Sequence, residues 1–152
     1  MGRRRDGGGS RWQHAGRDAY VGLIADTSAL VRIERRRIGN GLAELPRDAL
    51  VAAITISELQ AGAYRAESQV RADRAEAFVQ AVIASLTVIP FDTPQALEHA
   101  RLFDYLRRQG WTIGERDLQI GATALAGGHS LLTGNVREFE RLPGLTILHL
   151  PL

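Results

Sequence analysis

The feature that most constrains the fold is the alternation of short apolar segments with longer segments of helical periodicity. The apolar segments are rich in Val, Ile and Leu and are bounded by turn residues, a pattern typical of strands buried on both faces. We predict strands at 21–26, 50–57, 87–91, 129–135 and 145–150, and helices at 28–37, 58–68, 70–86, 92–110, 114–128 and 136–142. Strands that alternate with helices predict an α/β fold with a largely parallel sheet.

The helix at 92–110 has the clearest ends. Asp92 or Thr93 can cap its first turn, and Pro94 is favoured within that turn. Gly110 is a typical residue for the end of a helix.

The chain of 152 residues has the length of one domain. Residues 1–20 are rich in Arg and Gly and lack an apolar period, so we expect a flexible arm followed by a single domain at 21–152. Five of the 19 basic residues lie in this arm, and all 19 are Arg. Because the remainder is close to neutral, net charge does not by itself indicate nucleic-acid binding.

Missing residue types exclude several classes of protein. The chain contains no Cys, which excludes disulfides and thiolate zinc sites and is expected of a cytoplasmic protein. It contains no Lys, which excludes a phosphate-loop NTPase. No apolar run approaches the roughly 18 residues of a membrane span, so we expect no membrane association.

Three carboxylates fall near one predicted edge of the sheet. Asp26 ends the first strand, Glu58 follows the second, and Asp117 lies in the first turns of the helix before the fourth. Ligands bind at the carboxyl ends of parallel strands, and converging carboxylates repel one another unless a cation lies among them. Oxygen ligands suit Mg²⁺ or Mn²⁺, which can activate water against a phosphodiester. The pattern therefore predicts a metal site for phosphoester hydrolysis.

Each of these residues also has a purely structural interpretation. Asp26 can cap the helix that follows it, and Asp117 can favour a helix dipole. Glu58 after Ser57 is ordinary chemistry for the start of a helix. The order of the three along an alternating chain is what favours a shared site.

Four segments resemble the successive motifs of PIN domains, most closely those of VapC-type toxins of bacterial toxin–antitoxin pairs. They are "LIADTSAL", "ITISELQAG", "IGERDLQIGATAL" and "LLTGNVREFERLPGLTIL". The resemblance covers about residues 22–149. It implies a three-layer α/β/α fold with a mostly parallel sheet of four or five strands, and Mg²⁺- or Mn²⁺-dependent endoribonuclease activity.

The resemblance assigns catalytic and metal-binding roles to Asp26, Glu58 and Asp117. Asn135 stands in the "TGN" segment where the family often has a fourth acid, and it is expected to coordinate through water. Three hydroxyl residues are expected to orient the carboxylates: Thr27, Ser28 and Thr133.

The resemblance also implies partners. They are an RNA substrate, a small VapB-like antitoxin whose C-terminal segment occupies the active-site groove, and a second copy of the chain in a homodimer. Arg116 and Arg32 are the predicted contacts to RNA phosphates, because a guanidinium suits phosphate geometry.

Three other functions remain open on the sequence. A degenerate PIN-like binding module is compatible with Asn135 in place of an acid, and a PIN RNA-processing nuclease would act without an antitoxin. A phosphotransferase with Asp26 as nucleophile is disfavoured, because Ser28 stands where such enzymes have a second Asp and because Lys is absent.

Overall fold

The computed structural model describes residues 22–36 and 41–150 and contains the predicted alternation of strands and helices. The predicted arm at 1–20 lies outside the described residues. The strands are β1 (Leu23–Ala25), β2 (Leu50–Ala52), β3 (Thr87–Ile89), β4 (Ser130–Thr133) and β5 (Ile147–His149). The helices are α1 (Thr27–Arg36), α2 (Ala53–Tyr64), α3 (Gln69–Ser85), α4 (Thr93–Gln109), α5 (Glu115–Ala126) and α6 (Val136–Phe139), with a 3₁₀ turn at Gly41–Glu44.

All five strands form one parallel sheet in the order β3-β2-β1-β4-β5. β2 and β3 lie on one side of β1. The chain then crosses to the other side of β1, where β4 and β5 lie. Ile24 in β1 is therefore opposite Leu50 on one side and Leu131 on the other. The strand order reverses between β1 and β4, and the crevice at such a point is where open α/β sheets bind ligands.

Helices cover both faces of the sheet, which confirms the three-layer α/β/α prediction. Successive side chains of a strand point to opposite faces, so Leu23 and Ala25 pack in one core and Ile24 packs in the other. The first core is completed by α1, α2 and α3, and the second by α4, α5 and α6. Representative buried side chains are Leu30, Leu59 and Val82 in the first core, and Leu106, Leu118 and Phe139 in the second.

The predicted second strand at 50–57 is wrong in its second half. The strand ends at Ala52, and α2 begins at Ala53. The β-branched residues at 54–56 favour a strand locally, but Thr55, Leu59 and Ala63 are buried at a spacing of four, which is the period of a helix. Glu58 consequently lies in the second turn of α2 rather than at the end of a strand.

The ends of α4 confirm the prediction for that helix. Asp92 is the N-cap residue, and its N–H donates to Oε1 of Gln95 at 3.0 Å. Gly110 ends the helix in the left-handed conformation, with φ of 69°. None of the helices in the described part of the chain is both long enough and apolar enough to cross a membrane.

Candidate active site

Asp26 lies at the carboxyl end of β1 and is 2% exposed. Its N–H donates to the carbonyl of Leu132 at 3.0 Å, which continues the pairing of β1 with β4. Its Oδ1 accepts the N–H of Ala29 at 2.8 Å, and its carbonyl accepts the N–H of Leu30 at 3.1 Å. Asp26 therefore caps α1 and also places a carboxylate at the point where the strand order reverses.

Two of the predicted hydroxyl residues bind the Asp26 carboxylate. Ser28 Oγ donates to Oδ1 at 2.8 Å, and Thr133 Oγ1 donates to Oδ2 at 2.6 Å. Burial raises the pKa of Asp26, while the donors from Thr133, Ala29 and Ser28 act in the opposite direction. Together these groups fix the orientation of a buried carboxylate and help to keep it ionised.

The third predicted hydroxyl holds Glu58. Thr27 Oγ1, in the first turn of α1, donates to Oε2 of Glu58 in α2. The other carboxylate oxygen, Oε1, lies 3.4 Å from Nη1 of Arg116 in α5. Glu58 thus connects three helices, although its position within α2 differs from the one predicted.

Asp117 is the third residue of α5 and is half-buried. Its pKa is raised to about 6, first by burial and then by the negative charges of Asp26, Glu58 and Glu138. These four carboxylates come from the end of β1 and from α2, α5 and α6. The charges of the other three carboxylates each oppose ionisation of Asp117.

Glu138 is the acid that the sequence analysis did not select. It lies in the one-turn helix α6 and contacts Arg141, whose Nη1 is 3.4 Å from Oε2 of Glu138. Asn135 is exposed at the N-cap of α6, and its N–H donates to Thr133 Oγ1 at 2.8 Å. The sequence signal for Glu138 was its position three residues after Asn135, in the segment where the family often has a fourth acid.

The acids do not form a compact ligand cage. Among residues 22–36 and 41–150, no three His, Cys, Asp or Glu side chains are grouped closely enough to hold a metal ion. The oxygens of Asp26 and Glu58 instead accept hydrogen bonds from hydroxyl groups. What the four carboxylates share is a concentrated negative charge at one edge of the sheet.

The two arginines predicted to contact RNA occupy different environments. The side chain of Arg116 is 55% exposed beside Glu58, at the rim of the acidic site. Arg32 is half-buried, and its guanidinium donates to the carbonyls of Leu150 and Gly134 at 2.9 and 3.3 Å. Its contacts are therefore made with backbone carbonyls of the chain itself.

Comparison with known proteins places this geometry in a family. The PIN domain model matches residues 23–145. The chain is 34% identical over 128 residues to ribonuclease VapC1 of Rickettsia felis, covering 84% of this chain and 96% of that protein. It is 35% identical over 97 residues to the tRNA(fMet)-specific endonuclease VapC of Salmonella typhimurium, covering 64% of this chain and 71% of that protein.

Solved structures agree with the fold. A Rickettsia felis VapBC2 structure, bound to a DNA fragment from its promoter, superposes with a TM-score of 0.77 at 21% identity, covering 86% of this chain and 99% of that one. DNA-bound VapBC from Salmonella typhimurium gives a TM-score of 0.71 at 28% identity, covering 84% and 96%. The chain belongs to the PIN-domain family, and within it to the VapC ribonuclease toxins of VapBC toxin–antitoxin systems.

Proposed function

We propose that this chain is a divalent-cation-dependent endoribonuclease whose catalytic residues are Asp26, Glu58 and Asp117. The observation that carries the proposal is the buried Asp26 carboxylate, which Ser28 and Thr133 fix at the reversal of the strand order. The raised pKa of Asp117, caused by burial and then by the charges of Asp26, Glu58 and Glu138, supports it. Carboxylates that oppose one another's ionisation destabilise a protein unless a cation binds among them and offsets their charge.

The donor set fits Mg²⁺ or Mn²⁺ in its chemistry. It consists of carboxylate oxygens and the amide oxygen of Asn135, which are ligands that hard cations prefer. We assign Asp26 and Asp117 as direct ligands, with Glu58 binding directly or through water and Asn135 through water. A cation held there would lower the pKa of a water molecule and offset charge on the phosphoryl group.

The other side chains of the site hold these acids in place. Ser28 and Thr133 fix Asp26, and Thr27 fixes Glu58. The attacking water must lose a proton, and a carboxylate of the site accepts it.

Arg116 is the proposed contact to an RNA phosphate. Its guanidinium is more than half exposed and lies at the rim of the acidic site, where a phosphodiester approaching the carboxylates would pass. Phosphate contacts supply much of the affinity of proteins for nucleic acids. The Salmonella relative is described as a tRNA(fMet)-specific endonuclease, which supports RNA as the substrate here.

The test of the nuclease is the substitution Asp26→Asn, which keeps the size of the side chain and an oxygen acceptor for the helix cap. We expect RNA cleavage in the presence of Mg²⁺ or Mn²⁺ to fall by at least about 100-fold, because a direct ligand and its charge are lost. Circular dichroism checks that the variant is folded. Full activity in folded Asp26→Asn protein would refute the assignment.

We further propose that the chain binds a small VapB-like antitoxin and forms a homodimer. The solved neighbours include VapBC complexes from Rickettsia felis and Salmonella typhimurium. Large apolar side chains on α4 and in the loop after it also support contact with protein partners, since Leu97, Phe103 and Trp111 are 68%, 57% and 46% exposed.

Co-expression with the product of the neighbouring reading frame tests the antitoxin proposal. We expect the two chains to co-purify and RNA cleavage to be suppressed in the complex. Light scattering of the isolated chain tests the dimer. A neighbouring product that neither binds the chain nor inhibits cleavage would favour an RNA-processing nuclease that acts alone.

A further inference from the structure

We propose that Arg32 is a positioning residue for Asp26 and acts through the backbone of the turn at 133–135. The inference depends on the catalytic role proposed for Asp26. It differs from the RNA-binding role predicted from the sequence, because the guanidinium of Arg32 is directed at backbone carbonyls.

Arg32 connects α1 to the residues that directly follow β4 and β5. Its Nη1 donates to the carbonyl of Leu150 at 2.9 Å, and its Nη2 donates to the carbonyl of Gly134 at 3.3 Å. The N–H of Leu150 in turn donates to the carbonyl of Thr133 at 2.9 Å. One guanidinium thus ties Gly134 to Leu150, which is itself hydrogen-bonded to the backbone of Thr133.

Gly134 provides the space in which the guanidinium lies. A Cβ atom placed on Gly134 would be 2.4 Å from Cζ of Arg32, 2.6 Å from Nη1 and 2.7 Å from Nε. The φ angle of Gly134 lies outside the left-handed region, so its backbone conformation does not itself require glycine. A side chain at this position would therefore have to displace the guanidinium.

The same turn orients both hydroxyl donors to Asp26. The N–H of Gly134 donates to Ser28 Oγ at 2.9 Å, and the N–H of Asn135 donates to Thr133 Oγ1 at 2.8 Å. Each hydroxyl then has its proton free to donate to Asp26. If the turn shifts, both donors shift with it, and the Asp26 carboxylate loses its fixed orientation.

Kinetics of Arg32 variants distinguish positioning from RNA binding. We expect Arg32→Gln to lower kcat for RNA cleavage by about 10- to 100-fold, a typical effect of losing an outer partner of a metal ligand, with KM changed less than about twofold. Arg35→Gln is the matched control, because Arg35 is exposed on the same helix. We expect its kinetics to match those of the wild type.

Arg32→Lys sharpens the distinction. Lysine keeps the positive charge that a phosphate contact needs but lacks the planar fork that reaches two carbonyls. We expect kcat to remain low in Arg32→Lys. A raised KM with unchanged kcat in Arg32→Gln, restored by Arg32→Lys, would show an RNA contact and overturn the proposal.

Amide hydrogen exchange gives a readout that is independent of activity. We expect the Gly134 and Asn135 amides to lose protection by at least about tenfold in Arg32→Gln and to keep it in Arg35→Gln, since loosening of the turn opens their hydrogen bonds. Unchanged protection in Arg32→Gln would overturn the positioning role. Absence of cation-dependent cleavage by the wild type would instead overturn the proposed function.

Substitution of Gly134 tests the same contact from its other side, and Gly134→Ala alone covers the case in which Arg32→Gln is too unstable to study. Gly134→Ala should displace the guanidinium and lower kcat to a similar extent. Because both changes act on one contact, we expect Gly134→Ala to have little further effect on kcat in an Arg32→Ala background. Fully additive losses would contradict the coupling.

Discussion

At the scale of single residues, the structural and functional interpretations of Asp26 are compatible. Its Oδ1 caps α1 through the N–H of Ala29, while Ser28 and Thr133 hold the same carboxylate at the reversal of strand order. Helix capping therefore provides part of the rigidity that the proposed role of Asp26 requires. Asp117 differs from Asp26, because burial and neighbouring negative charges oppose its ionisation.

The raised pKa of Asp117 predicts that Asp117→Asn stabilises the cation-free protein. The folded protein holds the Asp117 proton more tightly than the unfolded chain does, because its pKa is about 6 against 3.8. Ionisation therefore costs stability above pH 6, and the cost vanishes as the pH falls through 6 to below 3.8. We expect a gain on the order of 1 kcal/mol at pH 7.5, since water screens a half-exposed carboxylate.

Urea unfolding in EDTA, measured from pH 7.5 to pH 4, tests this prediction. Asp104→Asn is the control with the opposite sign, because Arg107 and Arg108 lower the pKa of Asp104. Its removal should not stabilise the protein at neutral pH. Equal stability of the wild type and Asp117→Asn at pH 7.5 would show that the acids are not coupled as described.

At the scale of elements, packing decides where a segment of ambiguous sequence changes from strand to helix. Residues 54–56 are β-branched, yet they lie in α2 because Thr55, Leu59 and Ala63 fit one buried stripe. In α5 the buried small residues Gly121, Ala122 and Ala124 let the helix approach its neighbours. Gly121 shows the closest approach, since a Cβ atom there would lie 2.2 Å from Cδ1 of Leu142.

Gly121→Ala should therefore destabilise the fold, although alanine is the better helix former. The added methyl group would overlap with the buried Leu142, and overpacking of a core typically costs about 1–3 kcal/mol. Helix propensity returns at most about 1 kcal/mol. Chemical denaturation measures the net loss.

Gly62→Ala is the matched control for this prediction. Gly62 lies in α2, and its added Cβ meets no atom within 4 Å. We expect Gly62→Ala to stabilise the protein by about 0.5–1 kcal/mol through helix propensity alone. Stabilisation by both substitutions would mean that Gly121 is not a packing constraint.

At the scale of the whole molecule, the site exists only because the sheet order brings distant segments to one edge. Asp26 follows the central strand β1, and Glu138 follows β4, which pairs with β1. Glu58 and Asp117 arrive from helices that pack on the two cores. The concentration of negative charge is thus a property of the complete fold, and a cation that relieves it should stabilise that fold.

We expect Mn²⁺ or Mg²⁺ to raise the melting temperature of the wild-type protein and EDTA to reverse the effect. Binding to the folded state alone contributes about 2.7 kcal/mol at a cation concentration 100-fold above Kd. For a domain of this size that corresponds to a shift of about 5–10 °C.

Scanning calorimetry of wild-type, Asp26→Asn and Asp117→Asn proteins, each with and without cation, tests the effect. Both variants should lose most of the shift, whereas Arg35→Gln should keep it. A shift that is equally large in Asp117→Asn would place the cation elsewhere on the protein.

Local sequence determined the alternation of strands and helices, the ends of α4, and the candidates Asp26 and Asp117, because hydrophobic period, capping residues and strand ends depend on near neighbours. Tertiary structure decided the start of α2, the proximity of Glu138 to the other acids, and the contacts of Arg32 with Gly134 and Leu150. These features arise between residues far apart in the chain, and only the packing of the layers determines which of them meet.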